Sequence, residues 1–181
     1  MRRIYSGFLS AFLFVAISLC QEKTIHSLKG ESFATYHLSH TLHEIEATSH
    51  DIVYTASVDA TARTVKSVTA SVDVTTFDSG NSNRDSHAME VIDALSYPEV
   101  TFASTSVVSR HDTLAVDGKL TFHGVTRDVS SVAVPQWSAN QLVVDATFPV
   151  SLTDFKIERP HLLFITVGDT LRFTLKAVFQ Y

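Results

Sequence analysis

The side chains able to do chemistry here are imidazoles, hydroxyls and carboxylates rather than thiols: nine His stand against a single Cys, Cys20. His37, His40 and His43 recur at every third residue. Imidazole is a common zinc ligand, so such a run invites a metal reading. On a strand, however, His37 and His43 face one side and His40 the other. Three ligands on one strand do not converge, no second Cys helps, and no His-Glu-x-x-His helix is present. No metal or other cofactor is expected, and the histidines read as surface or hydrogen-bonded groups. Serine hydrolysis is no better supported. The chain lacks a Gly-x-Ser-x-Gly elbow, and Ser, His and Asp are abundant enough for triads to be drawn by chance. No catalytic residue is assigned, and an enzyme is not expected.

The first twenty residues read as an export signal. Arg2 and Arg3 form its basic start, Phe8 to Leu19 its apolar run, and small residues follow at cleavage spacing. The run is short for a membrane span, which needs ~20 apolar residues. Cleavage after Cys20 would leave Gln21 as the new terminus and no thiol in the mature chain, so disulfides do not contribute. Acylation of Cys20 as a lipoprotein is disfavoured by Leu19, where such signals carry a small residue. The expected location is periplasmic or secreted. Removing Arg2 and Arg3 leaves 12 basic against 19 acidic residues, a net charge of −7. With no basic run to neutralise phosphates, nucleic acid is not an expected partner.

The elements that must position these side chains are mostly strands. Val68, Ala70, Val72 and Val74 alternate with Thr69, Ser71, Asp73 and Thr75. Leu114, Val116, Leu120 and Phe122 share one parity, and Asp117, Lys119 and Thr121 the other. Leu142 through Leu152 and Leu171 through Phe179 form two more alternating runs. Shorter candidates cover Ser32–Leu38, His43–Ser49, Ile52–Val58, Val100–Val107 and Val125–Val134. Turn signals fall at Asp78-Ser-Gly-Asn81, Asp117-Gly118, His123-Gly124, Ser138-Ala-Asn140 and Gly168-Asp169. Asn81 to Leu95 breaks the pattern. Ala88, Val91, Ile92 and Leu95 fall at helical spacing, Asn81 or Ser82 is the cap, and Tyr97-Pro98 ends the helix. One domain from 21 to 181 is expected: an all-β, eight-stranded antiparallel barrel with a short inserted helix over about 81–95. Closure removes open edges that would pair with other chains. Parity alone leaves two interiors open, one filled by its own side chains and one holding a ligand.

The middle of the chain carries a more specific pattern. Arg84-Asp85-Ser86-His87 is followed by Tyr97-Pro98-Glu99-Val100-Thr101-Phe102 and then by Gly118-Lys119-Leu120-Thr121-Phe122-His123-Gly124-Val125-Thr126. In this order and spacing the chain resembles the YceI-like family of bacterial proteins, from about Ser32 to Phe179. The resemblance implies a lipocalin-like barrel with an elongated cavity for polyisoprenoid chains such as quinone tails, and no general catalytic activity. Two departures and one subgroup likeness stand out, the first departure being Ala47 near the place where the early strand usually has a Gly before its turn. Family members often carry Asn-Arg-x-x-Phe-Gly near the end, whereas Leu152-Thr153-Asp154-Phe155-Lys156-Ile157 keeps only the aromatic. His40-Thr-Leu-His43 is similar to a subgroup with paired histidines.

Parity, aromatic size and the resemblance together nominate Phe102, Phe122, Phe148, Phe155 and Phe173 as cavity wall. Phe155 stands apart, because its strand is expected to bend after Leu152. Arg84, His87, Thr121 and His123 are candidates for a polar mouth meeting a head group. Each also has a local reading: Asp85 suits the first turn of a helix with Arg84 pairing on the surface, and Gly118 and Gly124 simply mark turns around Thr121 and His123. The expected function is a periplasmic carrier or storage protein for an apolar long-chain lipid, a polyisoprenoid or isoprenoid quinone, with transient membrane contact for loading. The alternative is a solid-core structural or stress-response barrel without a specific ligand.

Overall fold

The computed structural model describes residues 21–39, 44–159, 161–162, 165–166 and 168–181. The expected signal segment with Cys20, and His40 and His43 of the histidine run, lie outside the described residues. The strands are β1 (Glu22–His26), β2 (Phe33–Ser39), β3 (Glu44–Ser49), β4 (Val53–Asp59), β5 (Thr64–Asp73), β6 (Glu99–Arg110), β7 (Thr113–Phe122), β8 (Val125–Trp137), β9 (Gln141–Ser151), β10 (His161–Leu162), β11 (Ile165–Thr166) and β12 (Thr170–Gln180). Helix α1 spans Ser82–Val91. Among the described residues, ten strands make one strongly curled antiparallel sheet in the order β1-β4-β5-β6-β7-β8-β9-β12-β2-β3, and β10 and β11 form a separate hairpin.

Eight strands are expected and ten are found because two long strands are each interrupted. β1 runs into β2 through a turn at Gly30 (φ 82°), and β3 runs into β4 through His50–Ile52. Counting each interrupted pair as one strand restores an eight-membered ring, since β1 pairs with β4 and β2 with β3 at the seam, while β4 pairs with β5 and β2 with β12 on either side of it. Single bridges tie the two sheet ends back, Ser27 to Phe179 and Thr48 to Asp78. Ser32 supports the first break from inside: its Oγ accepts from Val178 N at 3.0 Å. Buried polar groups need such partners, because an unpaired one costs ~1–3 kcal/mol.

Alternation builds the interior. Along β7, Leu114, Val116, Gly118, Leu120 and Phe122 are buried while Asp117 and Lys119 are exposed. Lys119 pairs outside with Asp128 at 2.9 Å. On β9 and β12, Phe148 and Phe173 are register partners and stack at 5.4 Å. Tyr54 is buried, donates its hydroxyl to the Phe33 carbonyl at 3.1 Å, and is pushed by burial well above the usual phenol range.

Three local expectations are corrected. Asp117-Gly118 is not a turn: β7 passes straight through it, and the β6–β7 turn sits at His111-Asp112, where His111 takes φ 53°. α1 stops at Val91 rather than near Leu95. Asp93 adopts the left-handed conformation (φ 47°), which breaks helical phase in the way a C-terminal cap does. Leu95 is therefore swung off the apolar stripe and stands 99% exposed. The start of α1 agrees with the cap rule, since Asn81 Oδ1 accepts from Arg84 N at 3.2 Å.

Candidate functional site

Under α1 lies a cavity of about 520 Å³. Strands β2, β5, β6, β7 and β12 supply its wall through their inward residues, Tyr36, Val72, Phe102, Phe122 and Phe173 among them. Ala88 and Val91 line it from α1 and Ile92 from its C-cap, so the predicted helical stripe does face the interior up to Ile92. Apart from Ser71 and the Tyr36 phenol, the polar lining residues are Asn81, Asn83, Arg84 and His87, on α1 and its cap. A smaller cavity of about 110 Å³, with no α1 residue in its lining, shares Ala70, Phe102 and Leu175 with the first.

The roof is held by a compact knot. Arg84 donates from Nε to Ser79 Oγ at 2.8 Å and from Nη2 to the Ser79 carbonyl at 2.7 Å. Ser79 in turn donates its hydroxyl to Asp85 Oδ1 at 2.5 Å. Gly80 (φ 73°) makes the tight turn, its N–H donating to Asp78 Oδ1 at 2.6 Å. Below the knot, Phe77 packs on Tyr36 with ring centroids 5.5 Å apart. Burial raises the Tyr36 phenol pKa, the Asp85 carboxylate adds to the rise, and the Arg84 guanidinium opposes it. Tyr36 is thus a neutral hydroxyl set where the apolar wall meets the polar roof, a position the Ala34–Tyr36–Leu38 alternation could have revealed.

The nominated residues divide by position. Phe102, Phe122 and Phe173 line the larger cavity, and Phe102 and Phe148 line the smaller. Phe155 lies behind the wall, 2% exposed, with its ring 5.7 Å from that of Phe122. It belongs to a 3-10 turn, Thr153–Phe155, that follows the end of β9 and removes it from strand parity. The next residue, Lys156, holds φ 58°, a conformation in which the Gly expected from the resemblance costs nothing. Arg84 and His87 line the cavity, Arg84 with Nε and Nη2 committed to Ser79, and His87 with Nδ1 3.7 Å from Glu90.

Thr121 and His123 are placed away from the cavity. Thr121 alternates with Leu120 and Phe122, which turns its hydroxyl outward to Thr126 Oγ1 at 2.8 Å. His123 (φ 48°) and Gly124 (φ 68°) form a two-residue hairpin turn of the kind that needs positive φ at both positions. His123 donates from Nδ1 to the Phe155 carbonyl at 3.1 Å and lies against the Tyr97 ring at 4.7 Å. A Cβ on Gly124 would stand 2.5 Å from that ring. The Tyr97-Pro98 and His123-Gly124 motifs therefore dock on each other. His37 sits on the outer side of β2, its Nδ1 3.3 Å from Glu46. Among the described residues no group of three or more His, Cys, Asp or Glu is arranged to hold a metal ion.

The family model of the YceI-like domain matches residues 24–179, nearly the whole described sheet. The chain belongs to the YceI-like family. Among relatives of this YceI-like chain, a UPF0312 protein of Pseudomonas putida is 28% identical over 161 residues, covering 83% of this chain and 84% of the relative. Protein YceI of Salmonella newport is 26% identical over 168 residues, covering 87% and 88%. Solved structures share the YceI-like fold. BcnA of Burkholderia cenocepacia matches with a TM-score of 0.76 at 19% identity, over 84% of this chain and 98% of that one. A polyisoprenoid binding domain from Saccharophagus degradans matches with a TM-score of 0.67 at 15% identity, over 87% and 99%.

Proposed function

We propose that this chain binds an apolar long-chain lipid of the polyisoprenoid or isoprenoid-quinone class in its interior, and serves as a periplasmic carrier or storage protein without catalysis. The cavity of about 520 Å³, apolar along its wall and polar mainly under α1, carries this reading. Its size falls within the ~300–1,000 Å³ range of small-molecule sites, and few polar groups are needed to fix a ligand's register. The fold shared with a polyisoprenoid binding domain supports the choice of ligand class. Transferring a tail from water to such a wall is favourable by ~25 cal/mol per Å² of apolar area. The tail is then hidden while an acidic exterior meets water. If the cargo is a quinone, its redox chemistry remains its own. A solid-core barrel is disfavoured by the same cavity.

The test is native mass spectrometry of protein purified from its own host, followed by solvent extraction. The expected result is a stoichiometric adduct that extracts as an isoprenoid. Protein that carries no lipid from the host, and that binds no long-chain isoprenoid alcohol in fluorescence titration, would overturn the proposal.

A further inference from the structure

We propose that Phe102, folded into a notch left by Gly118, sets the length of apolar chain that the interior accepts. The inference rests on the lipid-binding reading above. The two cavities meet at Ala70, Phe102 and Leu175, which line both. Ala70 and Phe102 are register partners on β5 and β6. Of the three, Phe102 is the large side chain, and it packs with both core clusters of the barrel. Gly118 faces inward on β7, in phase with Val116 and Leu120. A Cβ there would stand 2.4 Å from two ring carbons of Phe102 and 2.6 Å from the Ala103 carbonyl oxygen. The far edge of the ring therefore occupies the space that only Gly leaves. Beside it, β6 changes register against β7 between Ser104 and Ser106.

This geometry divides the interior in two. A short tail is held by the larger cavity, between α1 and Phe102. A longer tail reaches the smaller cavity only by passing the Phe102 ring. Phe102 packed into the Gly118 notch keeps that passage narrow and defined, while the small Ala70 beside it on β5 leaves it passable. Enlarging the gap favours longer chains, and filling it favours shorter ones. Gly118→Ala is a poor probe, because the added methyl also meets backbone at Ala103.

The test compares farnesol, geranylgeraniol and a longer polyprenol in competition against a fluorescent fatty-acid probe, with denaturant midpoints measured in parallel. Phe102→Ala should raise the ratio of long-chain to short-chain affinity about tenfold, because buried methylenes each add to affinity. Phe102→Leu should raise it less, and Ala70→Leu should lower it about tenfold. If Phe102→Ala does not fold, the Phe102→Leu and Ala70→Leu pair decides by its opposite shifts. Folded variants that bind but keep the parent's chain-length ratio overturn this inference and leave the binding function standing. A parent that binds no member of the series removes the binding function itself, and the inference with it.

Discussion

Phe122 and Phe155 face each other at 5.7 Å, yet only Phe122 lines the cavity. The pair separates wall from support. Phe122→Leu keeps the site apolar but changes its shape, and should weaken isoprenoid binding several-fold while lowering stability by about 1 kcal/mol. Phe155→Leu should lower stability by a similar ~1 kcal/mol and leave affinity nearly unchanged. Fluorescence titration set against denaturant midpoints checks both; equal effects on binding would place the two rings in one role. A second residue-scale expectation concerns Asp169. Its carboxylate accepts from Thr153 Oγ1 at 2.5 Å, Ser151 Oγ at 2.7 Å and Thr153 N at 3.0 Å. These bonds, led by the Thr153 hydroxyl, hold its pKa below the ordinary value. A depressed folded pKa means the stabilisation is present above the usual carboxylate pKa of ~3.9 and is lost as pH falls through the folded value. Asp169→Asn should therefore lower the melting temperature at pH 7 and lose that deficit in acid. Thermal melts of parent and variant at neutral pH and below pH ~3 read this directly.

At the scale of elements, α1 is a roof rather than a core member: none of its residues is fully buried. It is held largely by its cap and by the Ser79–Arg84–Asp85 knot. Elements with few buried contacts open at low free-energy cost, which suits a cover over the proposed lipid site. Ser79→Ala removes an acceptor from Arg84 and a donor to Asp85, a loss of about 1 kcal/mol per neutral bond and somewhat more here. Release of a bound fluorescent fatty acid, measured by stopped flow, should quicken roughly fivefold, with little change in the melting temperature of the barrel. Unchanged release would assign entry to another part of the molecule.

At the scale of the whole molecule, the ring of strands hides its interior while the exterior carries the charge. The chain without Arg2 and Arg3 bears a net charge of −7, which opposes self-association and binding to anionic surfaces. The periplasmic role proposed here requires processing of the first residues. N-terminal sequencing of protein from the host should begin between Leu19 and Gln21. Full-length protein in the cytosol would refute export, and an acylated Cys20 would make the protein membrane-anchored rather than free.

What the sequence by itself determined is the set of local choices that a short window controls. The parity of β7, from Leu114 to Phe122, was legible because side chains on a strand alternate regardless of what they meet. The Asn81 cap was legible because its side chain bonds within its own turn, to the N–H of Arg84 three residues on. The family pattern was legible in its motifs, although their physical roles were not. Only the tertiary structure decided matters that depend on distant partners. Asp117-Gly118 carries a local turn signal, but the Phe102 ring, on the neighbouring strand, needs the Gly118 space, and the strand continues. Leu95 keeps helical spacing, yet the left-handed Asp93 breaks the phase. Thr121 and His123 stand beside wall residues in sequence and face away from the cavity in space. The choice between solid and hollow belongs wholly to the tertiary level. The same inward Phe, Leu and Val parity serves either, and only the ring's diameter and the directions of Phe102, Phe122 and Phe173 leave room inside.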